Sequence, residues 1–401
     1  MPDPVPPVAR RLGWLHFWND FTLDFLTPLL PTGVGAAWIG VMEGIADGVG
    51  QALRLVSGRA SDRSGRRVPW VAAGYGANAV FRPLAAVGML LAWPWWVVCC
   101  RIGDRLGKGL RGSASDALIA DWVAPAQRPW VYGLMRICDH AGATAGALAA
   151  AGAAWFVVEC LHADLGWAVL ALVLPMLAML LLLRGLRDRP EAALRPAVPR
   201  AGWWPRSPAV RWPLAVVAVA SLGAKVSPLL ILVLASGWVG DGRQAWEPWQ
   251  LCLAWAALGV VQTLAASGAA WCADRLGARR FLIAGWTAGA AVFAALACAD
   301  GPWLAIAGLA WGVMAGLTEG AEKAWIASLA AVEERATTFG ALALLVAGAA
   351  LIGSAGCGFG LEHCGAWILV VPALALALGA LGVVLIGSGE ITSDTAVGAG
   401  R

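Results

Sequence analysis

Charge is what this sequence has least of. Only 13% of its 401 residues are Asp, Glu, Lys or Arg, about half the share found in a soluble domain. So few charges cannot cover a water-facing surface. Histidine (4) and tyrosine (2) are scarce as well. No His-Glu-x-x-His, Gly-x-Ser-x-Gly or paired-histidine motif is present, so an intramembrane enzyme has no support. The nine cysteines form no Cys-x-x-Cys or Cys/His pattern. Cys99, Cys100, Cys138, Cys252 and Cys298 lie in apolar runs and read as small buried hydrophobes. No metal, cofactor or nucleic acid is therefore expected. A cleavable signal is also missing: Met1–Pro7 is proline-rich, and Arg10 and Arg11 lead into a helix interrupted by Asp20 and Asp24 without a small-residue cleavage site.

What is abundant is apolar material. Sixty per cent of the residues are hydrophobic and the mean hydropathy is +0.71. Runs such as Trp167–Leu183, Leu214–Gly237 and Ala366–Ile386 are long enough to cross a hydrocarbon core of ~30 Å as helices. They lack the period-two alternation of a membrane β-strand. The chain has 50 glycines, several paired four apart (Gly44/Gly48, Gly103/Gly107, Gly142/Gly146, Gly312/Gly316/Gly320), a spacing that lets helices approach closely in lipid. The fold class expected is an all-α polytopic membrane protein. Twelve transmembrane helices are predicted, near 12–33, 38–58, 68–91, 94–122, 129–158, 166–184, 212–237, 246–271, 280–298, 302–329, 336–361 and 365–387. The Arg- and Pro-rich stretch between spans six and seven reads as a linker. Residues 1–184 then form one six-helix bundle, 185–211 a cytoplasmic linker, and 212–401 a second bundle with a short tail. With the N-terminus inside, cytoplasmic segments hold 19 Lys and Arg and the other side one, Arg243. That asymmetry places both termini in the cytoplasm and the protein in a bacterial inner membrane.

The halves repeat. Asp62-Arg63-Ser64-Gly65 returns as Asp274-Arg275-Leu276-Gly277. Ala117-Leu118-Ile119-Ala120 aligns with Ala324-Trp325-Ile326-Ala327, and at the same offset of 207 Arg128 meets Arg335 and Tyr132-Gly133 meets Phe339-Gly340. Thr27-Pro28-Leu29-Leu30 matches Ser227-Pro228-Leu229-Leu230. Three correspondences in one order point to two pseudo-symmetric halves around a midplane site.

Gly58-Arg59-Ala60-Ser61-Asp62-Arg63-Ser64-Gly65-Arg66-Arg67 matches at every fixed position the signature loop of the major facilitator superfamily (MFS), between spans two and three. The second copy, around Asp274 and Arg275, is weaker. Within that superfamily the chain resembles a largely uncharacterised branch of bacterial permeases. The resemblance rests on Asn19-Asp20, Pro28-Leu29-Leu30-Pro31, Glu43-Gly44-Ile45-Ala46, Gly74-Tyr75-Gly76, Arg82-Pro83, Gly107-Lys108-Gly109 with Arg111, Asp116 to Asp121, and Arg136 with Asp139. Ser115 departs from it, where that branch carries Arg, and so does Gly146-Ala147, where a Gly-Pro pair is usual. The resemblance implies a transporter and is silent about cargo. It also implies a gating loop of Gly58, Asp62, Arg63, Gly65, Arg66 and Arg67, repeated by Asp274 and Arg275, with Asp62 latching helix ends on the cytoplasmic side.

Nine basic groups fall inside predicted spans: Arg54, Arg82, Arg101, Arg105, Lys108, Arg111, Arg136, Lys225 and Lys323. Asp20, Asp24, Glu43, Asp47, Asp104, Asp116, Asp139, Glu319 and Glu322 accompany them. Each costs roughly 2.5–3.5 kcal/mol at mid-bilayer, so they must face a wet cavity or one another. On span four, Arg101, Asp104, Arg105, Lys108, Arg111, Ser115 and Asp116 share one face within roughly 140°. His16, Asp20 and Asp24 form a stripe on span one. Substrate-binding candidates are Arg101, Arg105, Lys108, Arg111, Lys225, Glu319 and Lys323. Proton-coupling candidates are Asp20, Asp24, Glu43, Asp47, Asp116 and Glu322. Arg82, Arg54 and the Arg136/Asp139 pair read as structural, Arg54 with Asp47 or Glu43 as its partner. The expectation is a monomeric secondary transporter in the lipid bilayer, moving a small polar organic solute by alternating access and coupled to protons. Export is favoured by the glycines of span five. Uptake of an organic anion by proton symport, and a transport-dead sensor or scaffold, are the alternatives.

Overall fold

The computed structural model describes residues 6–124, 127–189, 204–205, 207–237, 239, 245–330 and 335–398; within its helices the side chains of residues 55, 129, 208, 269–276, 319–320, 335–336 and 387–398 are outside the description. All regular structure among the described residues is helical. The first helices are α1 (Pro7–Leu26), α2 (Ala36–Ser64), α3 (Val68–Leu90), α4 (Pro94–Trp122), α5 (Arg128–Trp155), α6 (Gly166–Leu170) and α7 (Val173–Leu183). They are followed by α8 (Pro208–Ala224), α9 (Leu229–Ala235), α10 (Pro248–Leu276), α11 (Ala278–Cys298), α12 (Pro302–Leu329), α13 (Arg335–Cys364) and α14 (Val370–Gly398).

Proline and glycine set the boundaries. α3, α4 and α12 each begin with Pro in the first turn, where its missing N–H is no loss. α2 stops at Gly65, whose φ of 63° is the left-handed region that glycine enters freely. Pro28 and Pro31 turn the end of α1 into a 3₁₀ segment, Thr27–Thr32, closed by Thr27 Oγ1 donating to Leu23 O at 2.7 Å. The matching Ser-Pro in the second half separates α8 from α9, and there Ser354 Oγ accepts from Ser227 N at 3.0 Å. Two spans expected as single helices, 212–237 and 166–184, are therefore each two helices. The second of these breaks between Leu170 and Val173.

Seven stretches are long and apolar enough to cross a membrane: Trp130–Cys160, Gly166–Leu183, Ala209–Ala235, Pro248–Gly268, Ala278–Cys298, Pro302–Leu329 and Thr337–Ile386. The chain is an all-α, multi-pass membrane protein. α1 to α4 are outside that group because polar and charged residues interrupt them, among them Asp20, Glu43, Arg82 and Arg101.

Packing follows a repeated scheme. α3 packs on α4, α2 on α4 and α1 on α5; α11 packs on α12, α10 on α12 and α8 on α13. Two further contacts run between these groups, α2 with α13 and α5 with α10. Glycine makes the close approaches possible. Gly109 meets Gly50 O between α4 and α2, and Gly316, 207 residues on, meets Gln262 O between α12 and α10. Gly146 meets Phe21 O between α5 and α1, and Gly353, again 207 on, meets Leu222 O between α13 and α8. A side chain at any of these would strike backbone.

Two apolar clusters hold the helices. The larger joins Phe25, Leu29, Leu30 and Ile39 to Leu229, Val233, Leu361 and Leu376, at the end of the molecule opposite the Asp62–Arg67 loop. The smaller, with Leu12, Leu15, Val71, Leu118 and Met135, draws only on α1, α3, α4, α5, α7 and their adjoining turns, and lies toward that loop. The larger cluster also runs along the second half to Leu282, Trp325 and Ile326, so toward the loop the two halves have separate cores, while at the opposite end one core joins them.

Candidate functional site: a charged cleft

The larger cluster closes the molecule at the end opposite the Asp62–Arg67 loop. There Gly40 meets Gly358, Gly44 meets Leu351, and Glu362 Oε1 on α13 accepts from Ala37 N at the start of α2, 2.9 Å away. Further along α2 the contact with α13 loosens, and a Cβ on Gly48 would lie 3.9 Å from Ala347 O. Beyond it Gln51, Arg54, Lys108, Arg136, His140 and Lys323 are all exposed. Charges facing lipid would be costly, so these groups define a water-filled cleft that opens toward the loop.

The cleft wall on α4 is an ion-pair network. Arg82, 2% exposed, donates from Nε to Asp104 Oδ1 at 2.7 Å. Its other nitrogens reach Asn19 O, Asn19 Oδ1 and the Thr22 hydroxyl on α1. Asn78 Nδ2 also donates to Asp104 Oδ1, at 2.6 Å. Glu43 on α2 receives Arg101 Nε at 2.8 Å and Arg105 Nη2 at 3.3 Å. Five of the charges predicted inside spans, three basic and two acidic, thus pair among themselves, and Arg82 bonds an aspartate and the α1 backbone. Arg54 pairs with Asp116 at 2.8 Å, a partner the sequence did not suggest; the expected Asp47 or Glu43 lie on its own helix, while Asp116 faces it from α4.

What remains is smaller and of both signs. Lys108 has no hydrogen bond or ion pair among the described residues, and its charged neighbours are Arg105, Asp20, Arg111 and Asp47. Arg111 stacks on Tyr75, 4.5 Å from the ring centre, and its Nη1 is 3.4 Å from the Tyr75 hydroxyl. Asp20 accepts only from Asn19 Nδ2, at 2.6 Å. Asp24 accepts from Trp255 Nε1 at 2.7 Å, a link from α1 to α10. On the second half's side Lys225 and Glu322 pair at 3.1 Å, and Lys323 is exposed. Glu319 lies on α12 with its side chain outside the described residues.

At the loop, Arg67 Nη1 meets Asp62 Oδ1 at 2.6 Å and its Nε stands 3.5 Å from buried Asp121 Oδ2. Asp188, beyond α7, accepts from Arg67 N and Val68 N at 2.7 and 2.9 Å, capping α3. Asp62 makes its described contact inside its own loop. Gly58 faces Ser113 on α4, Gly65 ends α2, and Arg63 and Arg66 are exposed. Asp274 and Arg275 lie in α10 with side chains outside the described residues. The sequence reading passed over Tyr75, Asn78, Asp121, Asp188 and Trp255. For Asp121 and Asn78 the signal was available, a polar residue on the inner face of a predicted span; Trp255 had none.

Among the described residues no group of three or more His, Cys, Asp or Glu could hold a metal ion. No family model matches the chain. An uncharacterised protein of Mycobacterium tuberculosis is 30% identical over 368 residues, covering 88% of this chain and 85% of that protein. An uncharacterised MFS-type transporter of Methanocaldococcus jannaschii is 30% identical over 140 residues, 34% of each chain. Among solved structures, a nucleoside transporter superposes with a TM-score of 0.73 at 12% identity, over 94% of this chain and 99% of that one. Helical topology, signature loop and relatives agree on a polytopic membrane protein with the fold of the major facilitator transporters, related to a diverse and largely uncharacterised branch of them.

Proposed function

We propose that the protein is a secondary transporter of the inner membrane that moves a small polar organic solute by alternating access, coupled to protons. The observation that carries this reading is the residue of charge in the cleft. After Arg82–Asp104 and Arg101–Glu43–Arg105 are paired, among the described residues Lys108 and Arg111 have no carboxylate within ion-pair distance, and Asp20, Asp24 and Asp47 no basic group. Unpaired groups of both signs suit a solute carrying both, and a wet cleft is where such charge is tolerable. Of the predicted substrate residues, Lys108 and Arg111 are assigned to the solute, with Lys225 and Lys323 of the second half beside them; Arg101 and Arg105 hold Glu43 in place.

Twelve transmembrane helices in two bundles, 1–184 and 212–401 joined by 185–211, form the architecture of this reading. The paired contacts of α3·α4 with α11·α12, α2·α4 with α10·α12 and α1·α5 with α8·α13 support it, with α6 and α7 together forming one span and α8 and α9 another. The excess of Lys and Arg on the loop side supports a cytoplasmic location for both termini, so the cleft faces the cytoplasm. Gly142 and Gly146 of the span-five pattern that favours export pack closely against the backbone of Phe17 and Phe21 on α1. Lys108 and Arg111 favour an anionic group on the solute, as proton-driven uptake of an organic anion would require.

The test is thermal stabilisation of purified protein across a library of metabolites and drugs, wild type beside Lys108→Ala. A compound that stabilises the wild type and not the variant is the expected result. One that stabilises both equally would remove α4 from the site.

A further inference from the structure

Three helices meet at His16, and the groups there stand apart from the pairing that lines the cleft. His16 Nδ1 on α1 lies 2.7 Å from Asp139 Oδ1 on α5. Its Nε2 lies 3.3 Å from Ser115 Oγ on α4. His16 and Asp139 are 12% and 16% exposed, shielded from bulk water without being sealed from the cleft. The surrounding charges come from each packed helix. Arg136 on α5 is 3.8 Å from Asp139 Oδ2 and largely exposed. Arg111 on α4 is stacked on Tyr75 of α3, Arg82 of α3 is tied to Asp104, and Asp20 stands one turn along α1. α7, also packed on α1, has no titratable side chain between Val173 and Leu183.

An imidazole held this way has one remaining choice. In the neutral ring, Nδ1–H donates to Asp139 and Nε2 accepts from the Ser115 hydroxyl. When a proton from cleft water binds Nε2, that nitrogen donates to Ser115 Oγ instead, and the serine hydroxyl must turn to another acceptor. The Asp139 carboxylate fixes the tautomer and stabilises the cation. One proton thus reverses the only described side-chain bond from α1 to this part of α4.

The second half makes a contact between the same elements through a lysine and a glutamate. Ser115 and Glu322 are 207 residues apart, the offset that relates α4 to α12. Glu322 takes Lys225, from just beyond α8, at 3.1 Å. Each half therefore ties an element at its first helix to the same register position of its fourth, and the first half's tie is made by an imidazole, the side chain suited to exchanging a proton with water near neutrality.

We propose that His16, with Asp139 and Ser115, is a proton-binding site that switches the α1–α4 contact and supplies the proton coupling of the transport cycle. The coupling role rests on the transporter reading above; the proton site does not. The experiment is NMR of ring-labelled histidine in the full-length protein in nanodiscs, from about pH 5 to 9. The chain has only four histidines, and His16→Gln assigns the signal. His16 is expected to titrate in that range. Asp139→Asn is expected to lower its midpoint by about one pH unit, a tenfold loss of proton affinity. Ser115→Ala, which keeps the ion pair, is expected to leave His16 titrating while abolishing the pH dependence of labelling at a cysteine placed at Gly133, on α5 beside the cleft. A His16 that does not titrate, or whose midpoint ignores Asp139→Asn, overturns the proposal even where a variant folds poorly, because the wild-type titration stands alone. A titrating His16 in a protein that binds no solute sinks the transport reading and leaves a proton switch. A transported solute with a pH-independent rate and a silent His16 removes the proton site alone.

Discussion

α4 and α12 occupy matching places in the two halves, yet α4 carries charge along most of its length while α12 carries it only near its end, at Glu319, Glu322 and Lys323. Both begin with a proline and span 29 and 28 residues. Both lie against the helix two before them through a glycine, Gly109 on Gly50 and Gly316 on Gln262. Where α4 carries Asp104, Arg105, Lys108 and Arg111, α12 carries Trp311, Gly312, Ala315 and Thr318, each 207 residues on. Trp311 is as deeply buried as Asp104. The middle of a fourth helix in this fold therefore packs without an ionic network, as 311–318 of α12 shows, and the one described ion pair of α12 is Glu322 with Lys225. The charges of α4 are an addition to the fold, and most of that addition is spent on holding itself together.

The largest effect should come from breaking that self-neutralisation. Arg82→Met removes the nearest cation of Asp104 and the three contacts to Asn19 and Thr22. Asp104 keeps Asn78 Nδ2 and, at 3.8 Å, Arg101 Nη1, so the cost lies toward the lower end of the about 3–5 kcal/mol for breaking a buried pair. We expect a large drop in thermal unfolding temperature and in yield of folded protein. Arg82→Met paired with Asp104→Leu, which removes both charges, should recover most of the loss. Failure of the double variant to recover would mean that α4 needs the ions for its packing, and the comparison with α12 would fall.

A second prediction addresses what the halves share. Gly146→Val and Gly353→Val each push a side chain into the backbone of the partner helix, at Phe21 and Leu222. Overpacking of this kind costs roughly 1–3 kcal/mol, and the two substitutions should be alike within about 0.5 kcal/mol by unfolding in mild detergent. Tolerance at one site and loss at the other would show that the two contacts, though equivalent in register, are not equivalent in energy.

The same contrast explains how much could be read from the sequence. The all-α character and the offset of 207 follow from local chemistry: long apolar runs, and glycine where backbones touch. The breaks at Thr27-Pro28 and Ser227-Pro228, due to proline's missing donor, were not read, since both spans were expected to be continuous. Which charges cancel did not follow. A helical wheel places Arg101, Asp104, Arg105 and Lys108 on one face, but the choice of Glu43 for Arg101 and of Asp104 for Arg82 is made by side chains arriving from α2 and α3. Arg54 shows the limit most plainly, since its partners on its own helix were the reasonable guess and Asp116 across the gap is the one it meets. Trp255 is harder still. It stands 212 residues after Glu43, the offset relating Asp274 to Asp62; one position of the repeat thus serves an ion pair in the first half and a hydrogen bond to Asp24 in the second.

The smallest effect on stability is expected one turn along the same face of α4, at Lys108. Arg105 is bound to Glu43 at 3.3 Å and is mostly buried, whereas Lys108 is exposed in the cleft with no partner among the described residues. Arg105→Met should cost a sizeable part of the energy lost in Arg82→Met, because Glu43 retains only Arg101. Lys108→Met removes no bond and should change stability by no more than about 0.5 kcal/mol. Paired melting curves at low and high salt check this. If Lys108→Met melts with Arg105→Met, the lysine belongs to the network and α4 has no charge to spare for a solute. If it melts with the wild type, the addition that separates α4 from α12 has two parts: one that neutralises itself, and one basic group kept in water at the centre of the cleft.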